Sequence, residues 1–504
     1  MCFRRAILLL TIVAFLGSTW GGIATPLLSV AEVESACKDS TSNGRTFSVT
    51  GEVINLSFTS NGRFHVNLAV GETRVPFICL DETADQAALC RNLELGDQIH
   101  LQGILFTVTN SSNTGTWAGF QRLQILSHPG LDTLPAIPPH ELSAPKWLNR
   151  VGSLEGRVRD AARDDANPDY IHMTIHHDGE SVQLMVQHSA VEPFEPTRYL
   201  GARVRVFGFC SDNKFGSRKH IGRILLVCGL NYIKILKSPE SSKDSPDIER
   251  LSTALPMEID EQGMHHADGT VIATWGESQV LLKTAQGRII RVCLQNSVLP
   301  ICGSRIRAVG LPETDFFNLR LLHGSWQHSN LPPEPPPPAV DISSAQLVPT
   351  IGGHQRLVVR HHGQALRLTG TVRHVPVVPT AFDRLQLDVD GTLVSIDTSA
   401  VPSALADITV GCRMSAAGTC VMNVDNWRMD STAQQAMGFF LALRQPADIV
   451  ILSRPSWWTT DRLLALLGIF AAALLGTIGW NVSLNRRAKD KGRELAAEQL
   501  AHVT

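Results

Sequence analysis

Two aspartates on one predicted strand form the pattern in this chain that most suggests reactive chemistry. Leu387–Leu393 reads Leu-Asp-Val-Asp-Gly-Thr-Leu, which places Asp388 and Asp390 two residues apart. In enzymes that form an aspartyl phosphate, one such aspartate attacks phosphorus and the second transfers a proton. That chemistry also needs a helix after the strand in a parallel sheet, and the residues beyond Leu393 do not indicate one.

The same position recurs in three other segments that lack the aspartate pair. Ala69–Glu72, His177–Glu180 and Ala285–Arg288 each hold a glycine in the place of Gly391. Asp-Gly is favoured in two-residue hairpin turns because both central residues need a positive φ. We therefore predict a hairpin turn at Asp390–Gly391, and we find no catalytic constellation elsewhere in the sequence.

Histidine is abundant, with 18 residues in the chain. His172 and His176 share one face of a predicted strand, and the pairs His265–His266 and His361–His362 precede two further strands. Imidazoles that converge from strands can bind zinc or copper, but no cysteine or carboxylate completes a ligand spacing here. Solvent-facing side chains are the preferred interpretation, and no metal or cofactor is predicted.

Nine of the ten cysteines follow the N-terminal apolar segment. The outer side of a bacterial inner membrane permits disulfides. The candidate pairings are Cys79 with Cys90, Cys210 with Cys228, and Cys293 with Cys302, although sequence alone does not prove connectivity. Cys412 and Cys420 would lie along one strand, about 25 Å apart and too far to bridge.

Four segments of the chain repeat one pattern of glycines and apolar residues. Each begins with a strand that contains a glycine, at Gly51, Gly156, Gly269 and Gly370, with spacings of 105, 113 and 101 residues. Each continues with an alternating strand, a turn glycine and a later strand that ends in a second glycine. A repeated order of elements indicates repeated domains, and a period near 100 residues fits a small β-domain.

About five strands and a first-strand glycine in each copy favour a small Greek-key barrel of OB type, with a β-sandwich as the alternative. The predicted fold is therefore mainly β, with four tandem barrels followed by one C-terminal transmembrane helix. The predicted segments are a signal peptide (1–24), β-domains (46–129, 150–239, 263–330 and 364–455), a proline-rich linker (331–363), a transmembrane helix (463–484) and a cytoplasmic helical stub (485–504). Ser238–Asp247 is predicted to be a flexible polar linker, and Pro332–Pro338 a stiff spacer.

The apolar segment Leu463–Leu484 contains 22 residues and no charge. At about 1.5 Å per residue it spans a hydrocarbon core of roughly 30 Å. Trp457 and Trp458 precede it at the height of an interfacial aromatic belt, and Arg486 and Arg487 begin a basic flank that stays cytoplasmic.

The N-terminus supports the same topology. Arg4 and Arg5 precede the apolar run Ala6–Leu16, and Gly22–Ala24 offers a cleavage site, with an uncleaved anchor as the alternative. We expect a single-pass protein of the bacterial inner membrane, with residues about 25–461 periplasmic and the C-terminus cytoplasmic.

Charge and composition limit the partners. The net charge is −2 and no basic stripe alternates with aromatic residues, so nucleic acid is not a predicted partner. The predicted partners are the membrane and an extracytoplasmic ligand or protein of unknown identity. Gly468, Ala472 and Gly476 form a small-residue face suited to a homodimer through the span, and ordinary small-residue usage is the alternative.

The residues around the span resemble a known membrane junction. Ile449–Thr460 reads IVILSRPSWWTT, and Asn485–Arg487 follows the apolar segment. This arrangement resembles large bacterial sensor histidine kinases, as does the opening Leu28–Val33 followed by a strand that ends at Gly51. The resemblance implies tandem periplasmic β-domains, one span, and a charged helix that leads to kinase modules.

The phosphoacceptor-histidine box and the ATP-site boxes of that family do not occur in this sequence, so the chain by itself is predicted not to be an enzyme. Arg487–Ala501 resembles the first turns of the family's signalling helix, with a kinase in a separate chain as a further implied partner.

Two functions remain as expectations. The first is a sensory subunit in which an outer ligand shifts the β-domains and the span passes the motion inward. The second is a membrane-tethered envelope binding or scaffold protein with no signalling role. A transducer needs Arg486–Ala501 to be helical or dimeric, whereas a tether does not.

Overall fold

The protein is described by a computed structural model. It describes residues 25–58, 64–71, 73–80, 83–110, 113–212, 223–241, 243–295, 298–314, 319–329, 332–335, 337–347, 349–351, 354–355, 358–380, 383–422, 439–455 and 460–501. The predicted signal peptide and the predicted boundary residues Trp457 and Trp458 lie outside these ranges.

The chain divides into two compact units. The first comprises Met1–Asp268, Ile290–Gln295 and Arg307–Gln327, and the second comprises Gly269–Ile289, Asn296–Ile306 and His328–Thr504.

The first barrel has the strand order and parallel pair of an OB fold. Its elements are α1 (Val30–Cys37), β1 (Thr46–Phe58), β2 (Phe64–Val70), β3 (Thr73–Cys79), α2 (Ala84–Arg91), β4 (Gln98–Asn110) and β5 (Asn113–Ser127). The sheet closes in the order β1-β2-β3-β5-β4, and β3 pairs with β5 in parallel. Helix α1 begins at a capping box, in which Ser29 accepts from the Glu32 amide and Glu32 accepts from the Ser29 amide.

The second barrel repeats this topology and shares its core with the first. Its strands are β6 (Val151–Arg163), β7 (Tyr170–His177), β8 (Glu180–Gln187), β9 (Arg203–Asp212), β10 (Arg223–Val227) and β11 (Ile233–Lys237). Strand β10 pairs in parallel with β8 and antiparallel with β9, and these two pairings close the barrel. Strand β11 pairs with β9 and extends the sheet there. One continuous apolar cluster runs through both barrels, from Phe47 to Phe209 and beyond.

The third and fourth sheets close in the same way. The third contains α3 (Pro256–Asp260), β12 (His265–Trp275), β13 (Gln279–Thr284), β14 (Ile289–Leu294), β15 (Arg305–Thr314) and β16 (Leu319–His328). The fourth contains β17 (Val340–Asp341), α4 (Ser344–Leu347), β18 (Thr350–Ile351), β19 (His354–Gln355), β20 (Ala365–His374), β21 (Leu385–Val389), β22 (Thr392–Asp397), β23 (Arg413–Met422), β24 (Phe439–Ala442) and β25 (Ile449–Ser453). In each, the third and fifth barrel strands pair in parallel: β14 with β16, and β22 with β24. The four predicted barrels are confirmed, and the sandwich alternative is wrong.

A close backbone approach explains why the later glycine recurs in every copy. A Cβ at Gly103 would stand 1.9 Å from the Gly119 carbonyl oxygen, and one at Gly208 would stand 2.4 Å from that of Leu226. The equivalent glycines of the third and fourth barrels show the same approach, at 2.6 and 2.7 Å. Because no other residue lacks a Cβ, the strand can only pass its neighbour this closely at glycine.

The aspartate pair lies on a hairpin, as predicted. Asp390 and Gly391 have φ of 50° and 84° and connect β21 to β22. Asp388 accepts a hydrogen bond of 2.9 Å from the Gly391 amide and pairs with Arg373. The hydrogen bond from Arg373 lowers the pKa of the Asp388 carboxyl. Its partners are structural, and no α-helix follows β22 to form a parallel strand–helix unit within the described residues up to Met422.

The segment predicted as a flexible linker between the second and third barrels is packed in place. Ser245 is buried, and its carbonyl accepts a hydrogen bond of 2.7 Å from His266. The Glu240 carboxylate accepts from the Met264 amide. The prediction of flexibility is wrong because the polar composition of Ser238–Asp247 satisfies local partners rather than remaining solvated.

The C-terminal helix α5 runs from Thr460 to Ala501 without a break. Its segment Arg462–Ala497 is long and apolar enough to cross a membrane, and none of its most apolar window is buried against the described protein. The structure thus contains one candidate span among the described residues, in the predicted position.

Candidate functional site

The first and second barrels meet through specific contacts within the first unit. The Cys228 thiol donates to the Asn55 side-chain oxygen at 3.1 Å, and the Leu56 amide donates to the Cys228 sulfur at 3.3 Å. The Arg74 guanidinium lies 5.5 Å from the centre of the Phe209 ring. Burial raises the pKa of the Cys228 thiol to about 12, so the sulfur remains a neutral donor at this contact.

A cleft of about 940 Å³ lies beside this contact. Barrel 1 contributes Phe64 and the end of β1, helix α2 contributes Arg91, and barrel 2 contributes Tyr170, Gln187 and the turn before β11. Its size is within the range of small-molecule sites in proteins. It is larger than two other cavities in the described part of the chain, of about 450 and 90 Å³.

The polar groups of the cleft differ in how they are used. Asp169 accepts from the Ala190 amide at 2.9 Å, and the Glu192 carboxylate is 3.5 Å from the His188 imidazole. By contrast, the side chains of Arg91 and Gln187 make no hydrogen bond with a described residue. Their donors and acceptors are available to a ligand that enters the cleft.

A smaller cavity, of about 90 Å³, lies at the outer face of β2 and β3 of barrel 1. OB barrels often bind oligonucleotides or oligosaccharides on this face. Here Asn67 on β2 and Arg74 on β3 line a space shared with Met185 and Phe209 of barrel 2. Barrel 2 therefore covers part of this face of barrel 1. The expectation of no nucleic-acid partner stays a prediction.

Three of the histidines singled out in the sequence are buried rather than solvent-facing. His176, His265 and His361 are only 6, 3 and 8% exposed, so the prediction that they face solvent is wrong. Each has a local partner, such as Ser181 for His176 and the Gly263 carbonyl for His265. Among the described residues, no three His, Cys, Asp or Glu side chains converge as a metal site would require.

Cysteine placement supports one predicted pair and argues against another. All nine cysteines of the described chain are free thiols. The Cys79 and Cys90 thiols interact with each other, which raises the pKa of the Cys90 thiol. Cys210 pairs across the strands with Leu225, and Leu225 precedes Cys228 by three residues. Cys210 and Cys228 are therefore offset by about 10 Å along the strand direction. The predicted Cys210–Cys228 bond is a wrong pairing because a disulfide needs Cα atoms about 4.4–6.8 Å apart.

The third predicted pair remains a prediction. Cys293 lies on β14, and Cys302 follows in the turn before β15 with its sulfur 4.0 Å from the Thr274 hydroxyl. Cys412 and Cys420 are both buried. Cys412 immediately precedes β23 and Cys420 lies eight residues later within it, which agrees with the prediction that they do not pair.

We expect oxidation to join Cys79 to Cys90. Their thiols already touch, and the bond would fix α2 to the end of β3, with a stabilisation of about 2–3 kcal/mol for a loop this short. Peptide mapping under non-reducing conditions after mild oxidation checks this. Cys210 and Cys228, separated in register, serve as the internal control and should be recovered as alkylated thiols. Recovery of Cys79 and Cys90 in the alkylated form would contradict the pairing.

The predicted residues of the membrane helix lie where the sequence places them. Gly468 and Gly476 have no neighbouring atom within 4 Å of an added Cβ, so this side of α5 is open. Ala472 is exposed one turn from each of them. Arg486 and Arg487 continue the same helix beyond the apolar segment. The contact between two such faces is not seen in one chain and stays a prediction.

Sequence reasoning missed the cleft between barrels 1 and 2. A usable signal existed, because the chain has only three tyrosines and all of them fall in the second repeat. Two of the three, Tyr170 and Tyr232, line the cleft. Burial raises the pKa of the Tyr232 hydroxyl, which therefore stays protonated as a donor.

Comparisons with known proteins give fold-level likeness alone. No protein-family model matches the chain, and no curated protein matches it. A murine DNA binding protein bound with double-stranded DNA is 12% identical over 38% of this chain and 98% of its own, with a TM-score of 0.21. OBody NL8 bound to hen egg-white lysozyme is 18% identical over 17% and 97%, with a TM-score of 0.15. Asparaginyl-tRNA synthetase from Pyrococcus horikoshii is 12% identical over 20% and 26%, with a TM-score of 0.17. At these scores none of them bears on function.

Proposed function

We propose that this chain is a membrane-anchored sensory subunit that binds an extracytoplasmic ligand or protein and passes the event inward through α5. The observation that carries this proposal is the continuity of α5 across the apolar segment and the charged tail, from Thr460 to Ala501. A continuous helix transmits rotation or translation from one end to the other. A tether would need no ordered tail.

The cleft between barrels 1 and 2 is the proposed input site. It has the volume of a ligand site, and Arg91 and Gln187 on its wall are without described partners. Beside their common apolar cluster, the two barrels make polar contacts at the cleft, including Cys228 with Asn55, which a ligand in the cleft could tighten or loosen.

The proposed orientation places the barrels in the periplasm and the tail of α5 in the cytoplasm of a bacterium. The basic flank that begins at Arg486 and Arg487 supports it, because such residues remain cytoplasmic. The resemblance of residues 449–487 to sensor histidine kinases supports a kinase in a separate chain as the receiver.

The test is whether the tails of two chains meet when the spans do. We place a photo-reactive amino acid at Glu494, which follows Gly476 by about five helical turns on the same side of α5. In the full chain in native membranes, we expect a cross-linked dimer. The double change Ala472→Ile with Gly476→Ile adds side-chain bulk to the proposed contact face, and should lower the yield at least fivefold. Gel electrophoresis of the irradiated membranes gives the yield.

The matched control changes the neighbouring face at the same depth. Ala471→Ile with Leu475→Trp also adds bulk at both positions, about 100° around the helix, and should leave the cross-link unchanged. If the chain with no other change gives no cross-link at Glu494, the tail does not pair and the tethered envelope binder becomes the better account. Equal losses in the two double variants would show a general effect of bulk and would contradict the proposed face.

A further inference from the structure

A second cavity, of about 450 Å³, lies within the second unit and is separate from the cleft described above. Its body is apolar: Ile272 of β12, Leu366 of β20, and the segment Pro337–Ile342 form the walls. The segment is held in place because β17 pairs with β20 and the Arg444 guanidinium donates to the Pro337 carbonyl at 2.7 Å. The proline-rich linker thus contributes a fixed wall to a cavity.

Two cationic side chains, Lys283 on β13 and Arg360 in the turn before β20, line the same cavity. Neither forms a hydrogen bond or an ion pair with a described residue, and Lys283 acts on Glu334 only through longer-range attraction. The carboxylate on the wall, Asp341, already lies 3.7 Å from Arg367. The cavity therefore has an excess of positive charge beside an apolar body.

A buried imidazole at the same wall has one nitrogen without a hydrogen-bond partner. His361 is 8% exposed, and its Nδ1 is 2.9 Å from the Gln364 side-chain oxygen, whereas its Nε2 is buried with no hydrogen-bond partner. Because Nδ1 donates to the Gln364 oxygen, Nε2 is an acceptor, and it calls for a donor that the described residues do not supply.

We propose that this cavity binds a small organic carboxylate with an apolar body. The carboxylate is held by Lys283 and Arg360, and the apolar part lies against Ile272, Leu366 and the prolines. A phosphate fits the cavity less well, because it has no apolar part to cover these walls and two cations would have to balance a higher charge.

The test uses benzoate, with benzyl alcohol as its uncharged counterpart, and the full chain in detergent micelles. Saturation-transfer NMR titrations should show benzoate binding that benzyl alcohol does not match. Arg360→Gln and Lys283→Gln should each weaken benzoate binding about tenfold, since each removes one charge-assisted contact. Arg413→Gln removes an exposed cation of the same barrel from outside the cavity and should leave binding unchanged.

Both substituted side chains lack structural partners, so the variants should fold as the wild type does. Equal signals from benzoate and benzyl alcohol, or full binding in Arg360→Gln, would overturn the proposal. It stands apart from the proposed sensory role, because it concerns a different cavity and is read by ligand binding alone.

Discussion

Replacing Arg159 by methionine is expected to cost about 3 kcal/mol of local folding free energy at the junction between barrel 2 and the residues that follow it. Arg159 is 8% exposed and donates to the Pro312 carbonyl at 2.5 Å and the Gln262 carbonyl at 3.4 Å. It is also 3.7 Å from Asp260, whose Oδ1 is buried without a hydrogen bond. Methionine fills a similar volume but leaves the carboxylate and both carbonyls without their donor.

Hydrogen exchange of backbone amides in the full chain measures this loss of local folding free energy. Amides of β6 and of α3 should exchange about a hundredfold faster in Arg159→Met, because about 3 kcal/mol corresponds to that ratio. The control is Arg203→Met on the same barrel, where the side chain is 53% exposed and its partner is Glu155. An exposed pair contributes little, so Arg203→Met should exchange within about twofold of wild type. Wild-type exchange in Arg159→Met would show that the junction does not depend on this guanidinium.

The barrels could be predicted because their determinants are local. Gly103 and Gly208 mark a backbone approach that every copy must make, and Asp390–Gly391 supplies the two positive φ angles of a hairpin. Each feature involves only a few consecutive residues, so it is visible in the sequence. Four copies of the same feature made the strand count and the fold class a consistent prediction.

The packing between copies could not be predicted because it joins residues far apart in sequence. Arg159 meets Pro312, and Cys228 meets Asn55, over separations of 153 and 173 residues. Nothing in either local segment indicates the other. The same limit explains the wrong pairing of Cys210 with Cys228. Strands β9 and β10 are neighbours, but an offset of three residues in their register cannot be read from alternation alone.

The same junction is expected to weaken as the pH falls. His265 is almost fully buried, and its ring bonds to the Gly263 carbonyl, with Glu240, His266 and Arg157 as the charged or titratable groups that face it. His323 lies on β16 with a φ of 50°, and its Nε2 is 3.3 Å from Asp160, with Arg159 and Glu313 nearby. A non-glycine residue with this φ is uncommon, and here it directs the ring to barrel 2.

Burial lowers the pKa of both imidazoles from the ordinary value of 6.5, despite the carboxylates close to them. A histidine with a lowered pKa in the folded state binds fewer protons than its unfolded counterpart. Above about pH 7 both states are neutral and the two histidines do not affect stability. Below about pH 6.5 the unfolded state binds protons that the folded junction does not bind. The free energy of unfolding therefore decreases as the pH falls, and the junction becomes less stable.

We therefore expect amides at the junction to be protected equally at pH 8 and pH 7 and to lose protection between pH 6.5 and pH 5.5, after correction for the intrinsic rate of exchange. The carboxylates do not explain a loss in this window, because Asp and Glu titrate at lower pH. The double variant His265→Asn with His323→Gln keeps a donor at each ring position and removes both titrations. It should flatten the profile, whereas His374→Gln, on an exposed pair with Asp383, should not. A profile that stays steep in the double variant would assign the acid sensitivity to other groups.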